Sequence, residues 1–510
     1  MSKKTLVVGT LILTGASFIT RILGFIFRIF LSQVMGAEGM GLYQLIFPIY
    51  MLAWAASSAG VSLAVSKKVA EYNAQKRYQD SIKVLQAAIS LALLICIPIS
   101  LFLFFFHESI AIYFVHALDT SLSIMLLGTC LPFMATSCCV RGYFQGRQEM
   151  SIPATAQVIE QVARMIIIYF IAGSMVPYGL EYACAAAMLG LCGGELISCL
   201  FTVFMYHRSK RGVRLRTSKL TYSAVFSSIF YMSLPITANR FLTSILHSVE
   251  NILIPMQLEK FGLNHSEALS LFGMYSGMAM PLLLFPSMLT GSLSVALIPS
   301  ISEAKAMSNE AQLQKTVSLS IQLSSIIGIG ACGLFLSLGD EIAAATYGNN
   351  MRDVGYILKL LATICPFFYL QGILNGILNG LGLQKLTFQG NIIASVLCIV
   401  LILVLVPQSG LVGFTIALLI QAGVATCYHL YHALASILLP VDIIGWMIKP
   451  GLAIGFGSVA IRYIYDGVLN QIFTMRIATI IAISLLGIFY ITFLFMFKCI
   501  TKEDIQAFIR

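Results

Sequence analysis

Apolar residues run along this chain in long stretches separated by short polar turns. The stretches fall at about 6–33, 42–65, 84–106, 121–144, 153–174, 181–206, 223–256, 267–293, 314–338, 355–380, 386–407, 411–434, 441–465 and 473–498. A helix needs ~20 apolar residues to cross the ~30 Å hydrocarbon core of a bilayer. None of the stretches alternates with the period of two that a barrel strand shows. Only helices then satisfy the backbone within lipid. The pattern predicts an all-α, polytopic membrane protein of about 14 transmembrane helices.

Composition agrees with this pattern. The chain has 510 residues, 58% hydrophobic and 10% charged, with a mean hydropathy of +0.90. A soluble domain is nearer ~25% charged. The N-terminus carries Lys3 and Lys4 before an apolar run too long for a cleaved signal, so the first span reads as a retained helix. A net charge of +10 would suit nucleic acid, but the position of the charges excludes it. Of the 31 Lys and Arg, 21 fall on the side of the N-terminus, Arg141 and Arg147 counted among them; five fall on the opposite side and five within spans. That asymmetry places both termini on the cytoplasmic side of the membrane. The densest basic stretch, HRSKRGVRLRTSK (207–219), follows the sixth span and suits anionic head groups of membrane lipids. The twelve cysteines lie mostly in apolar runs without metal-ligand spacing, so neither a disulfide framework nor a metal site is expected. There is no P-loop, nucleophile elbow or HExxH, and the loops are too short to house an active site. The chain does not read as an enzyme, and no cofactor is implied beyond a coupling ion (Na⁺ or H⁺) or the membrane potential.

Two halves of the sequence resemble each other. PFMATSCCVRGYFQG (132–146) aligns with PFFYLQGILNGILNG (366–380), matching Pro-Phe, Gly142 with Gly376, and Gly146 with Gly380. GVSLAVSKKVAEY (60–72) aligns with SLSVALIPSISEA (292–304), pairing Ser62 with Ser294 and Glu71 with Glu303. The expected organisation is an N-terminal lobe at 1–219, a second six-helix lobe at 220–440 in parallel repeat, and two extra helices with a tail at 441–510. Internal repeats around a polar cavity are the usual plan of secondary transporters.

Polar residues inside the spans mark where such a cavity would lie. GTLILTGASFITRILGFIFRIFLS (9–32) carries Arg21 and Arg28, seven residues apart. That spacing is two turns, ~10 Å along one face, and Ser17 falls near the same stripe. An arginine at the bilayer centre costs ~2.5–3.5 kcal/mol on insertion scales, so two on one stripe argue for a shared wet, anion-attracting surface; bridging to a neighbouring helix is the structural alternative. The seventh span carries Thr237, Arg240, Ser244, His247 and Asn251 on one stripe. In the fifth, Glu160 and Arg164 stand at i, i+4, either a structural ion pair or a gated one used in coupling. Lys449, before Pro450, is placed to hold the carbonyls freed at a kink.

VRGYFQGRQEM (140–150), QVIEQVAR (157–164), VPYGLEYACAAAM (176–188), GELIS (194–198) and GAEGMGLYQLIFP (36–48) resemble the stage V sporulation protein B family. That family sits in the multidrug/oligosaccharidyl-lipid/polysaccharide flippase superfamily, beside polysaccharide exporters and lipid II flippases. The lipid II flippase pattern is matched at Thr20-Arg21-Ile22-Leu23-Gly24, at Arg28 with a one-residue gap, and at Phe285-Pro286, Gly291 and Ile298-Pro299-Ser300-Ile301-Ser302. Where that pattern has arginines in helices 2 and 8, LAWAASSAG (52–60) and YSGMAMPLLLFP (275–286) are uncharged.

The resemblance implies alternating access, a polyprenyl-pyrophosphate-linked glycan such as lipid II as substrate, and a role in spore cortex peptidoglycan synthesis. It also implies the membrane of an endospore former, including the one around the forespore, with wall-synthesis enzymes as partners. Arg21, Arg28 and Arg240 would then attract the pyrophosphate, and Lys449 would be a candidate for a groove taking the lipid tail beside the last two spans. Two rival readings are a cation-coupled multidrug or polysaccharide exporter and a non-transporting scaffold for wall-synthesis enzymes.

Overall fold

The computed structural model describes residues 3–210, 221–348, 351–439 and 441–499, all of them in helices or short turns with no strand. The basic loop at 211–219 and the tail from 500 onward lie outside the described residues.

The first helical run, Lys3–Trp54, is interrupted at Gly36, where φ is 69° and ψ −169°. This backbone region is essentially closed to residues with a Cβ, so the run divides into α1 (3–35) and α2 (37–74), the latter passing through a π-helical turn at Ala55–Ala59. Next come α3 (Tyr78–Phe105), a short interfacial segment (His107–Ile110 and Ala111–Val115), α4 (Ser121–Gly146), α5 (Ser151–Met175), α6 (Leu180–Lys210) and α7 (Tyr222–Lys260). They are followed by α8 (265–306), broken at Phe285-Pro286, then α9 (Glu310–Tyr347) and α10 (352–380), whose two pieces bend by 54°. Gly410, with φ 56°, divides the run Gln384–Ile437 into α11 (384–409) and α12 (411–437); α13 (444–472) and α14 (Met475–Met496) complete the described chain. Ten helical stretches, or eleven with the bent α10 pair, are long and apolar enough to cross a membrane. Among the described residues the breaks at Gly36 and Gly410 each make two segments of one stretch; α7, with its polar stripe, falls short of that test, and the arrangement is consistent with the expected fourteen.

The chain forms two compact units, Met1–Ile252 and Leu253–Arg510. Their boundary falls inside α7 rather than in the basic loop at 219/220, because α7 up to residue 252 packs on α2. Gly60 permits that approach: a Cβ there would stand 2.2 Å from Thr237 Oγ1 and 2.5 Å from the Ser233 carbonyl. Ser248 Oγ also donates to the Pro48 carbonyl at 3.3 Å.

The sequence repeat corresponds to a repeated helix crossing. In the first unit, Gly142 of α4 brings its backbone against α2, where a Cβ would lie 2.6 Å from the Ser62 carbonyl, and Ser62 Oγ donates to the Cys138 carbonyl at 3.1 Å. In the second unit, Gly376 of α10 does the same against α8. A Cβ there would lie 2.8 Å from the Ser294 carbonyl, and Ser294 Oγ donates to the Gly372 carbonyl at 2.8 Å. Small residues let membrane helices approach closely enough for such contacts. The two extra helices pack on α9: Tyr490 of α14 donates to the Ile326 carbonyl at 2.8 Å, and Ser458 of α13 to the Gly333 carbonyl at 3.3 Å.

Candidate substrate cavity

Inside the first unit, α1, α2, α4, α5 and α6 enclose a polar cavity of about 410 Å³, lined among others by Arg21, Tyr50, Trp54, Arg141, Gln157, Glu160 and Glu195. Local sequence sets each contribution. Gln157, Glu160, Gln161 and Arg164 follow an i, i+3, i+4, i+7 stripe on α5. Tyr50 and Trp54, four apart, share one face of α2. Gly194 lets α6 close on α5, where a Cβ would stand 2.7 Å from the Glu160 carbonyl, and this delivers the adjacent Glu195 to the cavity floor.

Four of these ions form one network. Arg164 bonds Glu160 at 3.0 Å along α5, and Arg141 reaches across from α4 to the other Glu160 oxygen at 3.1 Å. Arg141 also stands 4.0 Å from Glu195, which accepts a hydrogen bond from Tyr50 at 3.3 Å. Glu195 is 2% exposed, and its Oε2 has no hydrogen-bond partner. Two guanidinium groups and two carboxylates give a self-neutral cluster, which is what makes four ions tolerable in this depth of protein. The predicted Glu160–Arg164 pair is therefore present, joined by a cation that the charge census had assigned to a cytoplasmic loop. Arg141 belongs to the cavity instead, because α4 continues to Gly146 and turns residue 141 inward.

Two further arginines remain outside this neutralisation. Arg21 lines the cavity, and among the described residues it has no ion-pair partner. Arg240 of α7 holds its guanidinium 5.7 Å from the centre of the Trp54 ring, within cation–π range, and it too forms no ion pair there. Trp54 thus joins the two residues: its ring walls the cavity that Arg21 faces and carries Arg240 beside it.

The other sequence candidates are placed differently. Arg28 is half-buried two turns beyond Arg21, with the Tyr43 hydroxyl within electrostatic reach, and does not line this cavity. Ser17 lends its carbonyl to Thr20 Oγ1 at 3.0 Å. Thr237 sits in the contact with Gly60. Ser244, His247 and Asn251 are engaged within α7: the Ser244 carbonyl accepts from Ser248 at 2.7 Å, His247 bonds Glu250 at 3.1 Å, and Asn251 donates to the His247 carbonyl at 2.8 Å. Lys449 lies in the second unit, half-buried on α13 before Pro450. Sequence reasoning missed Tyr50, Trp54 and Arg141; the one available signal was the repeat, which sets Arg141 opposite the polar Asn375.

A larger cleft of about 860 Å³ lies in the second unit, lined by Ser337, Lys359, Arg462 and Asp466 among others. Both of its cations are engaged, Lys359 with Asp340 and Arg462 with Glu341 at 2.6 Å and Asp466 at 2.9 Å. It offers an anion no free charge, so size does not make it the better substrate site.

The bundle of apolar helices is that of a multi-pass membrane protein of the flippase superfamily, whose relatives are flippases and transporters and not enzymes. The sequence profile of the polysaccharide biosynthesis protein family matches residues 6–305, and the chain belongs to that family. It is 30% identical to stage V sporulation protein B of Bacillus subtilis over 99% of this chain and 98% of that protein. Lipid II flippase MurJ of Bacillus subtilis is 26% identical over 79% of this chain and 77% of its own length. The fold matches a solved lipid II flippase MurJ in an inward closed conformation with a TM-score of 0.72 at 16% identity, covering 98% of this chain and 100% of that one.

Proposed function

We propose that this protein moves a polyprenyl-pyrophosphate-linked cell-wall glycan, lipid II or a close relative, across the membrane by alternating access, in the service of spore cortex synthesis. The observation that carries this reading is Arg21, which lines the cavity with no ion-pair partner among the described residues, with Arg240 held against the ring of the cavity residue Trp54. In a low-dielectric site, charge-assisted hydrogen bonds from arginine are the strongest means of holding a diphosphate. The neighbouring amides Gln157 and Gln161 and the Tyr50 hydroxyl would face sugar hydroxyls. The kinship with a sporulation protein supports the cortex, and the kinship with lipid II flippases supports the substrate class. The basic side of the loops supports cytoplasmic termini. Arg28, two turns along the same helix, would attract the anion on its way to or from the cavity.

A cation-coupled exporter of cationic drugs would need a carboxylate free to meet its cargo. Here Glu160 is held by two arginines and Glu195 faces one of them. The test is a lipid II translocation assay in proteoliposomes with Arg21→Ala, Arg240→Ala and the double variant. Translocation should fall at least tenfold for Arg21→Ala and further for the double variant. Undiminished translocation in well-folded variants, or a gain of proton-driven dye efflux, sinks the assignment.

A further inference from the structure

Arg240 is absent from the lining of the polar cavity, although the Trp54 ring that it covers forms part of that lining. Contacts on either side hold the α7 backbone against α2. About one turn before Arg240, Thr237 meets Gly60, and about two turns after it Ser248 Oγ donates to the Pro48 carbonyl at 3.3 Å. Trp54 lies on α2 midway between Pro48 and Gly60. The guanidinium therefore leaves the ring by rotation of its own long side chain, while the two helices stay packed.

A guanidinium over an indole is held by the ring quadrupole, an attraction weaker than charge-assisted hydrogen bonds to phosphate oxygens. Trp54 thus sets a threshold on the second arginine. A ligand draws Arg240 off the ring only if it presents an anionic group that Arg21 has not already taken. A diphosphate carries negative charge on both of its phosphorus centres. A monophosphate lipid has a single phosphorus, and an arginine gains less from a phosphate that another arginine already neutralises. That smaller gain does not exceed the hold of the ring. We propose that Trp54 is a specificity-determining residue: it keeps Arg240 in reserve, so that diphosphate lipids are bound in preference to the monophosphate lipids that surround the protein. This rests on the substrate class proposed above. Selectivity of this kind is a difference between two affinities, and the ring acts by lowering the wrong one. The rest of the cavity wall does not supply the distinction, because Arg141 and Arg164 are engaged by Glu160 at 3.1 Å and 3.0 Å.

The chain has two tryptophans, Trp54 and Trp446, and the second lies on α13 of the other unit. Trp446→Phe therefore leaves Trp54 as the sole indole reporter in the full chain. In detergent micelles, undecaprenyl pyrophosphate should shift the Trp54 emission as the guanidinium departs. Undecaprenyl phosphate, which has the same hydrocarbon chain, should not, and Arg240→Gln should remove the shift. Equilibrium binding of the two labelled lipids measures the preference itself. Trp54→Leu should lower the preference for pyrophosphate about fivefold, the scale of one cation–π contact, by tightening the monophosphate. Trp54→Phe, which keeps a ring, should retain most of it. Arg240→Gln should weaken the pyrophosphate about tenfold, as for a lost charge-assisted hydrogen bond, and leave the monophosphate nearly unchanged. A merely structural role for the Trp54–Arg240 contact would weaken both lipids alike. The proposal is overturned if folded Trp54→Leu keeps the native preference, if Arg240→Gln weakens both lipids equally, or if undecaprenyl phosphate shifts the emission as the pyrophosphate does. Arg21→Ala separates the two levels of the argument. Unchanged pyrophosphate binding in that variant refutes the diphosphate site itself, whereas lost binding together with an unchanged preference in Trp54→Leu refutes the role of Trp54 alone.

Discussion

Replacing Arg141 with alanine tests whether the four-ion cluster is a charge-balanced unit. In the native protein Arg141 stands 3.1 Å from Glu160 and 4.0 Å from Glu195, with side-chain exposures of 17%, 16% and 3%. Glu160 keeps Arg164 at 3.0 Å after the change, but Glu195 is left with only the Tyr50 hydroxyl at 3.3 Å. The cluster then holds one cation and two carboxylates. Removing one partner from a buried pair costs ~3–5 kcal/mol, and the partial exposure of Arg141 and Glu160 to water puts the expected loss near the lower end, about 3 kcal/mol. Adding Glu195→Gln restores the balance, so the double variant should lose only its hydrogen bonds, about 1–1.5 kcal/mol. Thermal unfolding in detergent, followed by a thiol-reactive fluorophore that reports exposure of buried cysteines such as Cys130, Cys139 and Cys184, ranks the variants. The expected order of melting temperature is wild type, then the double variant, then Arg141→Ala. Melting of the single variant at or above the double variant would refute the charge-balance reasoning.

Further outcomes follow from contacts elsewhere. Gly142→Ala and Gly376→Ala should each destabilise by ~1–3 kcal/mol through overpacking, since the new methyl would meet backbone carbonyls at 2.6 Å and 2.8 Å that cannot move aside; parallel falls in melting temperature check this. Gly36→Ala forces a Cβ into φ 69°, ψ −169° and should cost ~1–3 kcal/mol, visible as a lower melting temperature. Arg462→Ala, which leaves the buried Glu341 without its cation, should lower the melting temperature more than Lys359→Ala, whose partner Asp340 is 49% exposed.

Much of the fold is legible because the bilayer leaves the backbone few choices. The apolar runs place the helices, and the pauses near residues 36 and 410 coincide with the glycine breaks. The unit boundary is not legible in the same way. The basic loop at 207–219 marks a natural division in sequence, but α7 is drawn to the first unit by Gly60 meeting Thr237 and Ser233, a contact between residues far apart in the chain. The site divides along the same line. Arg21 stands out because a charge in mid-span needs an explanation, whereas Arg141 lies near a span end where positive charge is ordinary. Its partners come from α5 and α6, so nothing local distinguishes it. The α7 stripe shows the opposite limit of the pattern. His247 and Asn251 share its face at helical spacing, yet within the helix His247 bonds Glu250 and Asn251 donates to the His247 carbonyl. Polar side chains on a helix can be served locally by its own backbone, and periodicity alone cannot separate those from residues that line a cavity.

The two units also differ in charge where the sequence repeat aligns them. Gly142 and Gly376 hold equivalent crossings, so the residue before each occupies an equivalent place: Arg141 in one unit, Asn375 in the other. One turn before Asn375, whose buried Oδ1 has no hydrogen-bond partner, Gln371 donates to Asn391 at 3.2 Å, where the first unit has two arginines and two glutamates. A neutral amide cluster can hold helices together without any ion, so packing alone does not require the charges of the first unit. Their value there follows from what they leave over. By binding Glu160 and facing Glu195, Arg141 and Arg164 occupy the acids of the cavity and leave Arg21 and Arg240 without an ion-pair partner among the described residues, as the proposed diphosphate site requires. On this view the buried acids are not the substrate's partners. Glu160→Gln should free the two cluster arginines, tighten binding of a diphosphate to the cavity and slow its release, so that translocation falls while affinity rises. Weaker diphosphate binding in that variant would mean that Glu160 positions the arginines for the ligand and does not withhold them from it.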